Sequence, residues 1–375
     1  MIVQDRLIEE FMELVRVDSE TGNEREIADV LTSKFKALGL EVVEDDSQER
    51  TGHGAGNLFV TWPAVQGVTA PKLLFTCHMD TVVPGKGIKP TLHEDGWITS
   101  DGSTILGADD KAGLAALFEA IRVIQEQGLP HGQIQFVITA GEESGLLGAR
   151  AMDPKHLDAE IGFALDSNGE VGAIAVSAPT QARITMQIYG KSAHAGVNPE
   201  DGISAIQVAS KAISAMKLGR IDSETTANIG KFAGGGPTNV VCDHVQLDAE
   251  ARSIVQEKVD RQIESMREAL ETTVREHGAE CEFRSEVIYP AFSFNQHDPV
   301  VQLADRAIIS LGLTTRLFAS GGGSDANVFN GLKVPTVNLA IGYEHIHTTQ
   351  ERIKAADIAK AAELVVAIIQ ENIKG

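Results

Sequence analysis

DDKAGLAALFEAIRVIQEQGLPHGQIQFVITAGEES, residues 109–144, holds two patterns of different period side by side. From Lys111 to Gly128 the apolar positions Leu114, Leu117, Phe118, Ile121 and Ile124 fall on one stripe of a helix. Gln133 to Thr139 is a short apolar run, which reads as a buried strand. Similar runs lie upstream at Asn57 to Thr61 and Lys72 to Cys77, and downstream at Ile161 to Leu165. Strands separated by a crossover helix imply a parallel sheet, because parallel neighbours cannot be joined by a tight turn.

The same texture extends to both ends of the chain. Gln4 to Val17 and Glu26 to Leu38 have helical spacing, the second stopped by Gly39. After residue 292 the order is helix (Asp298 to Ser310), strand (Val334 to Ala340) and helix (Ala355 to Lys374). Between these blocks the pattern changes. Arg183 to Tyr189 alternates polar and apolar, as a half-exposed strand does. A helix (Gly202 to Leu218), a Gly/Pro-rich turn (Gly234 to Pro237), a strand (Val245 to Ala251), a charged helix (Val255 to Glu276) and a strand (Glu280 to Val287) follow. This βαββαβ-like stretch is read as an insertion over residues 179–292. It leaves a discontinuous outer domain of residues 1–178 and 293–375.

Composition narrows the function classes. The 375 residues are 43% hydrophobic, with 36 glycines and only 5% aromatics, which suits an α/β protein with tight loops. A formal net charge of -21 makes nucleic acid and anionic membranes poor partners. Cys77, Cys242 and Cys281 form no CxxC pair, and their odd number argues against a disulfide framework. The opening MIVQDRLIEEFMELV lacks the basic and apolar regions of a leader, and no apolar run reaches membrane-spanning length. A soluble, cytoplasmic protein is the expectation.

Acids and histidines recur at one kind of position, just past the carboxyl end of a predicted strand or in the loop that follows. His78 and Asp80 follow LLFTC; Asp109 and Asp110 precede the long helix; Glu142 and Glu143 follow IQFVITAG; Asp166 follows IGFAL; His347 follows VNLAIGYEHI. Ligands of open parallel sheets bind outside these strand ends, so loops distant in sequence would converge. Each signal alone has a plain structural explanation, such as an N-cap for Asp109 or a solvated turn for Glu142. Together they place several carboxylates in one volume, where they repel unless cations sit among them. Histidine nitrogen and carboxylate oxygen suit zinc and related ions. No HExxH helix occurs, which excludes the common single-zinc protease arrangement. Cys77, inside an apolar run, reads as packed core rather than nucleophile.

TCHMDTV (76–82), LGADDKAGLAA (106–116), TAGEESGLLGA (139–149), ALDSNG (164–169) and HTTQE (347–351) together resemble the co-catalytic zinc exopeptidases. That family includes aminotripeptidase (peptidase T), glutamate carboxypeptidase and acetylornithine deacetylase. GADDKAG and GKSAHAG (190–196) look most like the peptidase T branch. The resemblance spans nearly the whole chain. It implies a mixed, largely parallel α/β sheet with helices on both faces and an inserted α+β lid domain. It implies two divalent metal ions, zinc in the first instance, with cobalt or manganese compatible with the same donors. His78 and Asp166 would hold one ion, Glu143 and His347 the other, and Asp109 would bridge them, often followed by a cis peptide. Asp80 would bond the far nitrogen of His78, and Glu142 would be the general base. The lid would contribute His194, Asn239 and Arg252, with Gly322 of the glycine-rich loop, to substrate binding, and often a homodimer interface. Asp325 would either neutralise a substrate amine or cap the helix after it.

The resulting expectation is an exopeptidase acting on tripeptides or dipeptides, plausibly an aminopeptidase. The alternative is an amidohydrolase that removes an acyl group from an amino acid by the same mechanism. A non-enzymatic scaffold is disfavoured, since such a descendant would be expected to have lost the base or a ligand.

Overall fold

The computed structural model describes residues 1–374. They divide into two compact units, one of residues 1–177, 293–320 and 324–374, the other of residues 178–292 and 321–323. Among the described residues no helix is long and apolar enough to cross a membrane.

The larger unit is built on a nine-stranded sheet. Its middle runs Ile134–Thr139, Leu73–His78, Ile161–Ser167, Thr336–Ala340, and these four strands are parallel to their neighbours. Leu58–Trp62 pairs antiparallel to Ile134–Thr139, and Ala173–Ala178 antiparallel to Thr336–Ala340. The sheet is therefore mixed but parallel where it matters. Every residue of Leu73–His78 and Ile134–Thr139 is buried. Unbroken burial means that both faces are covered, which is why these strands read as continuous apolar runs rather than alternations.

The helix predicted after Asp110 spans Ala108–Gln127, with non-helical dihedrals at Asp109 and Asp110 and a cis peptide between them. Its stripe of Leu114, Leu117, Phe118, Ile121 and Ile124 lies in one hydrophobic core with Phe35, Phe75 and Phe136. Gly128, in the left-handed conformation, caps the end of the helix.

The smaller unit has a five-stranded antiparallel sheet with its own core, which includes Met186, Leu247 and Leu270. Thr180–Tyr189 pairs with His244–Ser253 on one side and with the edge strand Glu280–Tyr289 on the other, and it alternates buried and accessible residues along its length. Helices Ala205–Ala215 and Gln256–Glu276 supply the rest of that core. Two of its strands, the two-residue Gly219–Arg220 and the longer Thr225–Gly234, are not marked by the sequence pattern, and the longer one shows why. Its register slips between Ile229 and Lys231, around Gly230, and most of its later residues are not buried. A bulge with an accessible half destroys the two-residue period on which strand recognition depends.

Candidate metal centre

The four parallel strands end on the same side of the sheet and deliver the predicted acids and histidines there. His78 is the last residue of its strand, aligned with Thr139 of the next. The chain turns at Gly141 and presents Glu142 and Glu143. Asp166 lies near the end of Ile161–Ser167. His347 follows Thr336–Ala340 and has positive φ, an uncommon conformation for a side chain of this size.

Asp109 stands at the middle. Its Oδ1 is 2.9 Å from His78 Nε2, and its Oδ2 is 3.3 Å from His347 Nε2. His78 Nε2 is also 3.8 Å from Asp166 Oδ1, and His347 Nε2 is 3.0 Å from Glu143 Oε1. Donor atoms lie within 4.8 Å of one another in His78–Glu142–Glu143 and in two clusters through Asp109, His78–Asp109–Asp166 and Asp109–Glu143–His347. The latter two share the two oxygens of one carboxylate.

The remaining groups set the orientation of these donors. His78 Nδ1 is 2.9 Å from the Asp80 carbonyl oxygen, while the Asp80 carboxylate is 3.5 Å away. The expected bond to the side chain is thus made mainly to the backbone of the same residue. The reason lies in what else Asp80 holds: its two oxygens accept the N–H groups of Glu142 and Glu143 at 3.0 and 3.2 Å. Tyr343 donates its hydroxyl to Asp166 Oδ1 at 3.1 Å. Asp110, fully buried, accepts the His78 N–H at 3.2 Å.

Electrostatics record the crowding. Burial lifts the Asp166 carboxyl well above the ordinary carboxyl range, and the charge of Asp109 adds to it. Burial also lifts Glu142, with Asp166 as the next cause, and raises Glu143. Asp109 goes the other way: burial pushes it up, but hydrogen bonds from His347 and His78 overcome that and hold it low. His347 is raised to about 10 by its hydrogen bonds to Asp109 and Glu143. Burial raises Cys77 too, as fits a packed thiol rather than a nucleophile. A buried set of like charges, two histidines and a shared carboxylate fits divalent cations. The charge of the ions would offset the repulsion, and the donor set is the one such ions prefer.

Two neighbours of the site were not assigned from the sequence. Glu351, only 2% exposed, accepts the N–H groups of Leu106 and Gly107 at 2.8 Å and of Asp109 at 3.1 Å. Its signal was present, since it closes the HTTQE segment that also contains His347. Asp325, whose role was left open, is buried and accepts the Thr139 hydroxyl through Oδ2, while Oδ1 has no partner. It is the first residue of helix Asp325–Gly331, and Ser324 supplies the cap.

The substrate candidates lie in the smaller unit. Arg252 is held by Glu250 through two bonds of 2.9 and 3.0 Å. His194 is exposed and accepts the Gly196 N–H at its Nδ1. The Asn239 carbonyl accepts from Ala195, leaving its side chain exposed. Gly323 is confined by contact, since a Cβ there would stand 2.3 Å from the Tyr289 ring; its neighbour Gly322 meets no such limit.

Residues 74–371 match peptidase family M20/M25/M40. The crystal structure of the aminopeptidase PepT from Bacillus cereus ATCC 10987 is similar to this chain with a TM-score of 0.92 and 60% identity, over 100% of both chains. A tripeptidase from Staphylococcus aureus subsp. aureus Mu50 is similar with a TM-score of 0.95 and 50% identity, again over 100% of both chains. A peptidase T from Geobacillus kaustophilus is 25% identical over 98% of each sequence.

Proposed function

The chain belongs to peptidase family M20/M25/M40, and from that membership we propose that it is a two-metal aminopeptidase that releases the N-terminal residue of short peptides, tripeptides above all. The observation that carries the metal part is Asp109, with one oxygen toward each histidine. The substrate part is supported by the aminopeptidase and the tripeptidase to which the chain is 60% and 50% identical.

His78 and Asp166 would hold one ion, Glu143 and His347 the other, with Asp109 between them. Two such ions would supply Lewis acidity toward a water and toward the scissile carbonyl. The protein's own share is positioning and proton transfer. The Glu142 carboxylate has no hydrogen bond among the described residues, unlike that of Glu143. With its affinity for protons raised by burial, it is suited to take a proton from the attacking water and give it to the leaving amine. Asp80 aims both glutamates by holding their backbone N–H groups. In the smaller unit, His194, Asn239, Arg252 and Gly322 would contact the substrate, and the same unit would form a homodimer interface.

Metal-free and zinc-loaded protein should be offered tripeptides, dipeptides and N-acetyl amino acids. Zinc-dependent release of the N-terminal residue from tripeptides is the expected result. Cleavage of the acylated compounds alone would move the function to deacylation. Glu142→Gln should lower kcat by about 10²–10⁴-fold while binding zinc as before. Near-normal turnover in that variant would remove Glu142 as the base.

A further inference from the structure

A second set of acid, imidazole and hydroxyl groups lies beside the turn that carries Glu142 and Glu143. Glu24 is fully buried, and its carboxylate accepts the N–H of Gly22 at 2.6 Å and of Gly54 at 2.8 Å. Its Oε1 also faces His53 Nδ1 at 3.1 Å. A carboxylate at Nδ1 makes that nitrogen a donor and leaves Nε2 of a neutral ring free to accept. Nε2 is 3.2 Å from Ser144 Oγ. That hydroxyl receives the Thr21 hydroxyl at 3.1 Å and lies 3.2 Å from the Gly141 carbonyl.

Acid, imidazole and hydroxyl in this order have the connectivity of a nucleophilic triad. The surroundings rule that use out. Nucleophilic attack by Ser144 would develop an oxyanion, and the adjacent residue is Glu143, with Glu142 beyond it; carboxylates there are the opposite of the donors an oxyanion needs. Ser144 Oγ is also shared among three partners, Thr21, His53 and the Gly141 carbonyl of its own turn.

The array has another consequence. The His53 ring lies against Gly141, so closely that a Cβ there would be 2.3 Å from its Cε1. His53 therefore touches the turn at its first residue and bonds it at Ser144, on either side of the two glutamates. Asp80 holds the same two glutamates by their N–H groups. We propose that Glu24, His53 and Ser144 form a brace that fixes this turn, with His53 as a positioning residue for both the base Glu142 and the ligand Glu143. The proposal rests on the two-metal reading above. Its physical content is that a short turn gripped from two sides cannot rotate, and an error of about 1 Å at a reacting group costs on the order of 10²-fold in rate.

The test compares His53→Ala, His53→Gln and Ser144→Ala with the parent chain. Zinc binding to metal-free protein is read by calorimetry, folding by thermal melting, and kcat and KM on a tripeptide. His53→Ala should weaken one of the two zinc equivalents by about 10-fold or more. It should also lower kcat by about 10–100-fold with little change in KM. His53→Gln should recover part of both, because its amide can donate to Glu24 and accept from Ser144 at once. Ser144→Ala, which removes a single hydroxyl and leaves the fold least disturbed, should show a smaller loss of the same kind. Two wild-type zinc affinities and wild-type kcat in His53→Ala would overturn the brace. So would abolished turnover in Ser144→Ala with zinc binding untouched, which would make the serine a nucleophile. If the parent chain cleaves no peptide, the functional reading fails, while the zinc titrations still decide the brace.

Discussion

Asp109 must present both oxygens at fixed angles, yet it lies in a stretch whose backbone departs from helix geometry. Its backbone is held from one side by a single residue, Glu351. Three N–H groups that the non-helical backbone leaves without carbonyl partners converge on that carboxylate. Burial raises Glu351 to about 7, the three N–H bonds opposing only part of that shift. Glu351→Gln keeps the shape but turns an N–H₂ group toward one backbone N–H, a donor against a donor. Outer residues of this kind typically change metal affinity by about 10–100-fold. Zinc titration of the metal-free Glu351→Gln variant should show a loss of that order. An unchanged affinity would mean that the Asp109 stretch holds its shape without Glu351.

At the level of elements, Asp166 illustrates how two adjacent strands position a proposed ligand. The strands Ile161–Ser167 and Thr336–Ala340 run parallel until their register shifts between Asn338 and Ala340. The Asn338 side chain closes the gap, accepting the Asp166 N–H at 2.9 Å and donating to its carbonyl at 2.6 Å. Asn338→Ala should therefore cost about 1–3 kcal/mol, the usual penalty for buried polar groups left unpaired, as read by urea unfolding. A variant as stable as the parent would show that the ladder closes without the amide. The same elements show what the sequence could reveal. Continuous apolar runs mark the central strands, and an acid or histidine at each run's end marks the candidate site, because both signals are local. Strand Thr225–Gly234 was hidden by its bulge. Glu24, His53 and Ser144 were hidden because three separate loops contribute one residue each, and no spacing links them. The Asp80 carboxylate is shared between the turn, at 3.0 and 3.2 Å, and His78, at 3.5 Å, a competition between partners that spacing does not encode.

Across the whole molecule, the cost of gathering so many acids sets how stability depends on pH and metal. Without metal, His347 is raised to about 10, so its contribution is full below its ordinary value near 6.5 and is lost as pH climbs toward 10. Asp325, raised to about 6 mainly by burial, and Glu351, raised to about 7, hold protons in the folded state that the unfolded chain has released. Linkage gives them the same sign: folding weakens as pH rises through those values. Asp80 and Asp109 are held low despite burial, so their contributions are lost only as pH falls through the acid range. The formal charge of -21 adds self-repulsion on the alkaline side. Metal-free protein should thus unfold at a lower urea concentration at about pH 9 than at about pH 6. Zinc acts in the opposite direction, because ligation needs a neutral histidine and ionised carboxylates, the forms that alkaline pH favours. Saturating metal at about 1,000 times its dissociation constant contributes about 4 kcal/mol per site. The zinc-loaded protein should therefore be more stable throughout, and its advantage over metal-free protein should widen from about pH 6 to about pH 9. An advantage that narrows over that interval would mean that the buried carboxylates and His347 are not what the metal neutralises.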